Sequence, residues 1–147
     1  MIGRLRGVTW RDVGGVVRAA ATLCRVSRAL REDDFLRVLD QMGLTESSHE
    51  AAAADIEETR RWVRWAHRLV PLEPNCLLDS LAAAVLLRGR GVCAPLSIGV
   101  RQCQGNFEAH AWLGDSQADP GEGFRLLYRV PEDPLPRSQT ATAGRAQ

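Results

Sequence analysis

A cysteine at the start of one predicted helix and a histidine on a later strand are the residues of this chain best suited to chemistry. Cys76 directly follows Asn75, and asparagine favours the N-cap of a helix, so the thiol is expected in the first helical turn. A thiolate there is stabilised by the positive end of the helix dipole and by unpaired backbone N–H groups. Cys76 is therefore the candidate nucleophile; the alternative is an inert thiol buried among apolar side chains, the commoner state of a free cysteine.

His110 supplies the base that a thiol nucleophile needs, and it lies in a predicted strand from Phe107 to Trp112. Side chains alternate along a strand, so Glu108, His110 and Trp112 share one face while the apolar residues between them face the other way. An imidazole that faces the thiol takes its proton and later protonates the leaving amine. The pair predicts acyl-transfer chemistry, whereas a lone strand histidine would more often be structural.

A third group must hold the other imidazole nitrogen, and two aspartates follow His110 closely. If Asp115 and Ser116 form a two-residue hairpin loop, Trp112 pairs with Asp119, which then lies on the face of His110. A shift of one residue at the turn would send Asp119 to the other face, and Asp115 is more simply a turn residue. We expect Asp119 to orient the imidazole, with Asp115 as the alternative.

Helical spacing dominates the N-terminal half that must support this site. A first amphipathic helix is predicted from Trp10 to Leu30, with an apolar stripe formed by Val13, Val16, Val17, Ala20, Cys24 and Leu30. A second helix opens at Asp33 and closes at Gly43, and a loop follows through Ser48. A third helix spans Ala51 to Val70 and ends because prolines follow it.

The second half changes from helix to strand. The helix from Cys76 to about Arg88 is predicted to be buried nearly all round, since nine of the eleven residues from Leu77 to Leu87 are apolar. Strands are predicted at Leu96–Arg101, Phe107–Trp112 and Phe124–Val130, with a turn at Gly105-Asn106. The prediction is an α+β fold, in which a helical half packs on a small antiparallel sheet. We expect one domain over residues 1–130, in which a helical segment covers residues 1–70 and a catalytic helix and sheet cover residues 71–130, followed by a disordered tail over residues 131–147.

Composition narrows the classes of function. The chain has 147 residues, of which 45% are apolar, and its 19 basic against 18 acidic residues give a net charge of +1. That balance offers little attraction to a phosphate backbone, so nucleic acid is not an expected partner. No secretion signal and no apolar run near the roughly 20 residues of a membrane span are present, which indicates a cytoplasmic protein.

The remaining cysteines and histidines have simpler interpretations. The four cysteines are scattered and form no C-x-x-C pair, so we expect them to be free thiols. Together with His110 they show no ligand spacing typical of a metal site, and we expect none. Cys24 lies on the predicted apolar stripe, and we expect Cys93 and Cys103 to be packing or surface residues. His49 and His67 are expected to be structural or exposed. The arginines that surround Trp62 and Trp65 are expected to be a solvated helix face, and a docking surface for a peptide is the alternative.

Read in order, four segments of the chain resemble the lasso-peptide leader peptidase, the B protein of lasso-peptide biosynthesis, in its stand-alone peptidase form. These segments are Asn75–Leu81, Leu86–Gly91, Ile98–Arg101 and Phe107–Trp112. The resemblance implies a transglutaminase-like, papain-like cysteine peptidase core. It also implies that Cys76 is the nucleophile, His110 the base and Asp119 the orienter. Gly114 departs from the pattern, because an acidic residue commonly follows that histidine segment.

The same resemblance implies an activity and its partners. The protein would cleave the leader from a ribosomally synthesised precursor peptide through an acyl-enzyme. A separate leader-recognition protein would deliver the leader, and a lasso cyclase that uses ATP would close the freed core, so this chain itself would need no cofactor. Two other interpretations stay open: a transglutaminase-like acyl transferase or other cysteine hydrolase, and a non-catalytic module that presents the peptide.

Overall fold

The computed structural model describes residues 7–46, 48–114 and 123–131. Along the chain its elements are α1 (Trp10–Glu32), α2 (Phe35–Gln41), β1 (His49–Glu50), α3 (Ala53–Ala66), α4 (Cys76–Gly89), β2 (Val92–Cys93), β3 (Leu96–Cys103), β4 (Asn106–Leu113) and β5 (Arg125–Val130). Helices thus precede a small antiparallel sheet, and the predicted α+β class is confirmed. The tail that was predicted to be disordered lies, after Pro131, outside the described residues.

Helix α1 begins at a capping box and buries a stripe that differs from the predicted one. Thr9 and Asp12 cap each other reciprocally, and the buried positions are Asp12, Gly15, Ala19, Leu23 and Val26. Of the predicted stripe, Val16, Ala20 and Leu30 pack against the core, whereas Val13, Val17 and Cys24 are exposed, so half of the prediction was wrong. The physical reason is that Gly15 and Ala19 are small enough for close approach to neighbouring helices, so the face that packs is centred on these positions together with Leu23 and Val26, and Val13 and Val17 lie beside it.

Asp12 ties α1 to α3 through a buried contact with an indole. Its Oδ1 atom accepts from Trp62 Nε1 at 3.0 Å and from Arg61 Nη2 at 2.9 Å. Its Oδ2 atom accepts from the backbone N–H and the hydroxyl of Thr9. The backbone hydrogen bond from Thr9 is the largest of the causes that hold the pKa of Asp12 well below its usual range, followed by the hydrogen bond from Trp62. Trp62 is only 6% exposed, so it belongs to the core and not to a docking surface.

The ends of the next two helices follow local chemistry. The chain leaves α2 through Gly43 at φ +68°, as the glycine predicted. Helix α3 stops at Ala66 and not at the predicted Val70. The reason is that Arg68 N donates to Trp65 O and Leu69 N to Ala66 O, which converts the last residues into tight i→i+3 turns.

Helix α4 is the centre of the molecule, as its composition predicted. Seven of its residues are buried, namely Leu78, Leu81, Ala82, Ala83, Ala84, Val85 and Leu87. They join one apolar core that also includes Leu23 of α1, Val63 of α3, and Leu96 and Leu113 of the sheet. Within the described ranges, no helix combines the length and apolar character that a membrane span requires.

The main sheet has the order β4-β3-β5, with both pairs antiparallel. The hairpin between β3 and β4 turns at Gln104 and Gly105, both at positive φ, and not at the predicted Gly105-Asn106 pair. Since β3 is paired on both sides, its backbone offers no free edge to an added strand. A second, two-residue parallel pairing joins His49 to Val92, where the sequence had predicted only a loop.

Candidate active site

Cys76 is the first residue of α4, and the predicted Asn75 cap is present. The Asn75 side-chain oxygen accepts the backbone N–H of Leu77 at 2.9 Å and of Leu78 at 3.4 Å. Cys76 is half-buried and is not in a disulfide. Among the described residues, its own amide N–H has no hydrogen-bond partner, as is usual for a donor in the first turn of a helix.

A hydrogen bond fixes the beginning of α4 against the strand that carries His110. The Ser80 hydroxyl donates to the carbonyl of Ala111, the residue after His110, at 3.1 Å. Ser80 stands one helical turn after Cys76 and on the same face of α4, because residues four apart are stacked along a helix. The thiol therefore lies one turn from a contact with the immediate neighbour of the histidine.

His110 is half-buried within an aromatic cluster on β4. Its ring stacks on Trp112 with centroids 6.1 Å apart, and Phe124 lies 5.7 Å away on its other flank. Gly99 is the pairing partner of His110 on β3. A Cβ at Gly99 would lie 3.0 Å from both the Trp112 ring and the Arg125 carbonyl, so the glycine makes room for the indole. The imidazole is thus held in place mainly by ring contacts.

The structure brings α4 and β4 together, but no hydrogen bond joins Cys76 to His110 among the described residues. Leu113 belongs to the core that packs on α4. Since side chains alternate along β4, His110 and Trp112 project from the opposite face. β4 is an edge strand of the described sheet, so the imidazole on this face can approach the beginning of α4 only around the free side of β4.

The predicted third member of the site lies outside the described residues. Asp115 and Asp119 both fall within residues 115–122, as does the hairpin register that favoured Asp119. The assignment of the orienting carboxylate to Asp119 stays a prediction.

A histidine-aspartate contact that the sequence did not indicate lies beside Cys76. His67 Nε2 is 2.6 Å from Asp79 Oδ1, and His67 Nδ1 is 3.2 Å from the carbonyl of Leu72. The two contacts hold the imidazole between α4 and the segment that follows α3. This agrees with the expected structural role of His67. No periodicity relates its position to Asp79, because Pro71 and Pro74 interrupt the helical pattern between them.

A cleft of about 190 Å³ opens between α3 and α4, one turn beyond the thiol. Its lining residues are Arg60, Val63, Arg64, Asp79, Ser80 and Ala83. Ser80 and Ala83 continue the face of α4 that begins at Cys76. Arg60 Nη2 donates to the carbonyl of Leu113 at 2.8 Å, which anchors the wall of the cleft to the end of β4.

The other cysteines lie apart from this site. Cys24 and Cys103 are exposed, and the thiol of Cys93 donates to the carbonyl of Ser48 at 3.3 Å. All four cysteines are free thiols, as predicted. Across the described ranges, no cluster of three or more histidine, cysteine or acidic side chains could hold a metal ion.

Comparison with known proteins gives one positive result. The family model described as the transglutaminase-like superfamily matches residues 20–125, a span that runs from the middle of α1 to the start of β5 and includes both Cys76 and His110. Neither the curated proteins nor the solved structures gave a match.

Proposed function

This chain belongs to the transglutaminase-like superfamily, and from that premise we propose that it is a cysteine peptidase that removes the leader from a ribosomally synthesised lasso precursor peptide. The observation that carries the proposal is the position of Cys76 at the start of a capped helix that is hydrogen-bonded to the strand of His110. In this proposal a separate leader-recognition protein delivers the precursor, and an ATP-dependent lasso cyclase consumes the product. The reaction takes place in the cytoplasm.

The proposed reaction has two acyl-transfer steps. The Cys76 sulfur attacks the scissile carbonyl carbon while its proton passes to the His110 imidazole. The tetrahedral intermediate collapses, the C–N bond breaks, and the leaving amine takes the proton from His110. Water then attacks the thioester with His110 as the base, the C–S bond breaks, and the thiol is reprotonated. Asp119 is proposed to hold the second imidazole nitrogen throughout.

The donor for the developing oxyanion is proposed to be the amide of Cys76. The N–H groups of Leu77 and Leu78 donate to the Asn75 side chain, so they are already occupied. The unpaired Cys76 N–H is adjacent to the sulfur and lies at the positive end of α4, where negative charge is stabilised.

The proposal requires a direct contact between Cys76 and His110 in the substrate complex. Because His110 projects from the face of β4 opposite to Leu113, the imidazole must reach the thiol around the free side of this edge strand. The cleft beside Ser80 is proposed to receive a side chain of the precursor near the scissile bond. Both features favour a peptide that lies across the beginning of α4.

Alkylation of the purified protein tests the nucleophile without a substrate. The protein is treated with iodoacetamide from pH 5 to 9, and the modified thiols are located by mass spectrometry. Cys24 and Cys103 are exposed whereas Cys76 is half-buried, so access alone would favour the former. At pH 6, where an ordinary thiol is almost entirely protonated, we expect Cys76 to react at least tenfold faster than either, and His110→Ala to abolish this advantage. If Cys76 reacts no faster than Cys24 and Cys103, both in the protein alone and after the recognition protein and precursor are added, the peptidase assignment is contradicted.

The mass of the reaction product distinguishes a peptidase from an acyl transferase. Incubation with a precursor peptide and the recognition protein should yield two fragments whose summed mass exceeds that of the precursor by one water. A product that joins two molecules would indicate the transferase, and an unchanged precursor together with an inert Cys76 would indicate a presenting module.

A further inference from the structure

One side of the β4 backbone is left unpaired by the described sheet. β4 pairs with β3 alone, and in an antiparallel pair successive residues turn their backbone N–H and C=O groups alternately toward the partner strand and away from it. The Gly114 N–H donates to the Pro95 carbonyl at 2.9 Å, so Gly114 faces β3. Every second residue before it faces the same way, and the residues between turn their backbone groups to the free edge, namely Leu113, Ala111, Ala109 and Phe107.

Side chains from α3 and α4 agree with this alternation and occupy half of the free edge. The carbonyl of Leu113 accepts from Arg60 Nη2 at 2.8 Å, and the carbonyl of Ala111 accepts from the Ser80 hydroxyl at 3.1 Å. Both carbonyls therefore point away from β3, and both already have a donor. A strand added to this half of β4 would have to displace the two side chains.

The other half of the free edge is open. Among the described residues, the backbone N–H and C=O groups of Ala109 and Phe107 have no partner on this side of β4. Phe107 is 77% exposed, and Ala109 is exposed as well. An exposed edge of this kind is a ready template for another extended chain, because its unpaired N–H and C=O groups form a row. Full backbone pairing is thus available at two positions of β4.

The positions of Cys76 and His110 select a substrate peptide as the occupant of this half of the edge. The thiol belongs to α4, which packs on the face of β4 that carries Leu113, whereas the imidazole projects from the opposite face. A scissile carbonyl that the sulfur attacks, and whose amine the imidazole protonates, must therefore lie beside the free edge. Ala109 directly precedes His110, so its unpaired backbone groups are next to a peptide in this position.

We propose that an extended segment of the precursor adds to the free edge of β4 and pairs through its backbone with Ala109 and Phe107, an inference that rests on the proposed function. Main-chain hydrogen bonds supply the affinity of such an added strand and hold it in register. The peptide is thereby fixed at the edge around which the imidazole must reach the thiol.

A second copy of this chain fits the same edge less well. A symmetric pairing of Phe107 with Ala109 would place Glu108 directly opposite Glu108 of the second copy, and like charges in that position are destabilising. A symmetric pairing centred on Ala109 would need the Ala111 carbonyl, which already accepts from Ser80.

Methylation of backbone amides in the precursor tests the pairing. N-methyl analogues are made at each of about four residues on either side of the bond that the mass measurement identifies. Their binding to Cys76→Ala is measured with the recognition protein present, and binding to the recognition protein alone is the control. The peptide N–H groups that donate to the carbonyls of Ala109 and Phe107 are two residues apart in either strand direction. We expect two methylated positions, separated by one insensitive position, to weaken binding at least tenfold. Weakening at adjacent positions, or at none, would overturn the proposal.

Two variants at position 109 test the pairing from the side of the protein. Ala109→Pro removes the N–H that faces the free edge and keeps the hydrogen bonds to β3, since proline is tolerated in an edge strand when its nitrogen faces solvent. Ala109→Val retains the N–H at this exposed position and is the matched control. In the Cys76→Ala background, Ala109→Pro should weaken binding of the intact precursor tenfold or more, and Ala109→Val should leave it unchanged. Equal affinities of the two variants would overturn the proposal.

This inference and the peptidase assignment fail in different ways. A precursor that is cleaved, but whose binding is insensitive to methylation and to Ala109→Pro, would overturn the edge pairing alone. A precursor that is not cleaved, but whose binding is weakened by Ala109→Pro and not by Ala109→Val, would overturn the peptidase assignment and support the pairing. Sedimentation velocity gives a further outcome: a dimer that Ala109→Pro dissociates would show that a second copy occupies the edge and would overturn the proposal.

Discussion

The indole ring of Trp62 lies directly against the backbone of Gly15, so close that a methyl group at position 15 would overlap its Cδ2 and Cε2 atoms. This contact sets the distance between α1 and α3. It also brings Trp62 Nε1 within reach of Asp12, one turn earlier on α1. The packing of α1 on α3 therefore requires glycine at position 15, because any other amino acid would place a Cβ inside the Trp62 ring.

Gly15→Ala should destabilise the protein by about 1–3 kcal/mol, the usual cost of overpacking a core. Gly14→Ala is the matched control, because a Cβ there meets nothing within 4 Å. In an exposed helical position the same substitution should stabilise by roughly 0.5–1 kcal/mol. Urea unfolding of the two variants measures both changes, and a destabilisation by Gly14→Ala as large as that by Gly15→Ala would contradict this account.

The contribution of Asp12 to stability should depend on pH. Its folded-state pKa is lowered, so its stabilisation is complete above the unfolded value near pH 3.8 and is lost as the pH falls through the folded value. Asp12→Asn should therefore lower the free energy of unfolding most at neutral pH, and the difference from the parent protein should shrink below about pH 4. Thermal unfolding at pH 7 and pH 3 measures this, and a difference that grows with acid would show that another group dominates.

Two substitutions at Asn75 should affect the stability of α4 and the reactivity of the Cys76 thiol differently. Asn75→Ala removes the cap and should cost about 1 kcal/mol, whereas Asn75→Asp keeps an acceptor for Leu77 and Leu78 and should be close to neutral. The new carboxylate beside Cys76 disfavours a thiolate, so alkylation at pH 6 should slow several-fold in Asn75→Asp. Unfolding and alkylation are measured on the same two proteins. Faster alkylation of Asn75→Asp than of the parent would contradict the thiolate argument.

Ser80 should act as a positioning residue for the proposed reaction. Ser80→Ala removes the hydrogen bond to Ala111 and should cost about 1 kcal/mol of stability. Because this bond fixes α4 relative to the His110 strand, kcat for precursor cleavage should fall about tenfold with KM nearly unchanged. The control is Ser27→Ala, whose hydroxyl accepts from Arg31 at an exposed site. Equal kcat values for the two variants would show that Ser80 has no positioning role in the reaction.

The sequence predicted those features of the structure that local chemistry determines. Asn75 and the apolar run after it specified α4 nearly to the residue, and Gly43 specified the end of α2. The buried face of α1 was only half predicted. Val16, Ala20 and Leu30 do pack against the core, but the pattern gave no weight to Gly15 and Ala19, which lie at the centre of the buried face because they are small.

The contacts that the sequence did not reveal are those between distant segments. The parallel pairing of His49 with Val92 and the His67–Asp79 contact join positions that no helical or strand period relates. The candidate site likewise combines elements that local pattern predicts with a contact that it does not. The helix of Cys76 and the strand of His110 were each predicted from local pattern, but their hydrogen bond through Ser80 arises only once the chain has folded.

The His67–Asp79 contact has a consequence for the conformational entropy of the segment that leads to Cys76. The two residues are twelve positions apart, so their contact closes a loop that contains Pro71, Pro74 and Cys76 itself. Closing the loop and fixing its prolines remove most of the freedom of this segment during folding, before any peptide arrives. For the proposed reaction, this means that little further conformational entropy is lost when a precursor binds across Cys76.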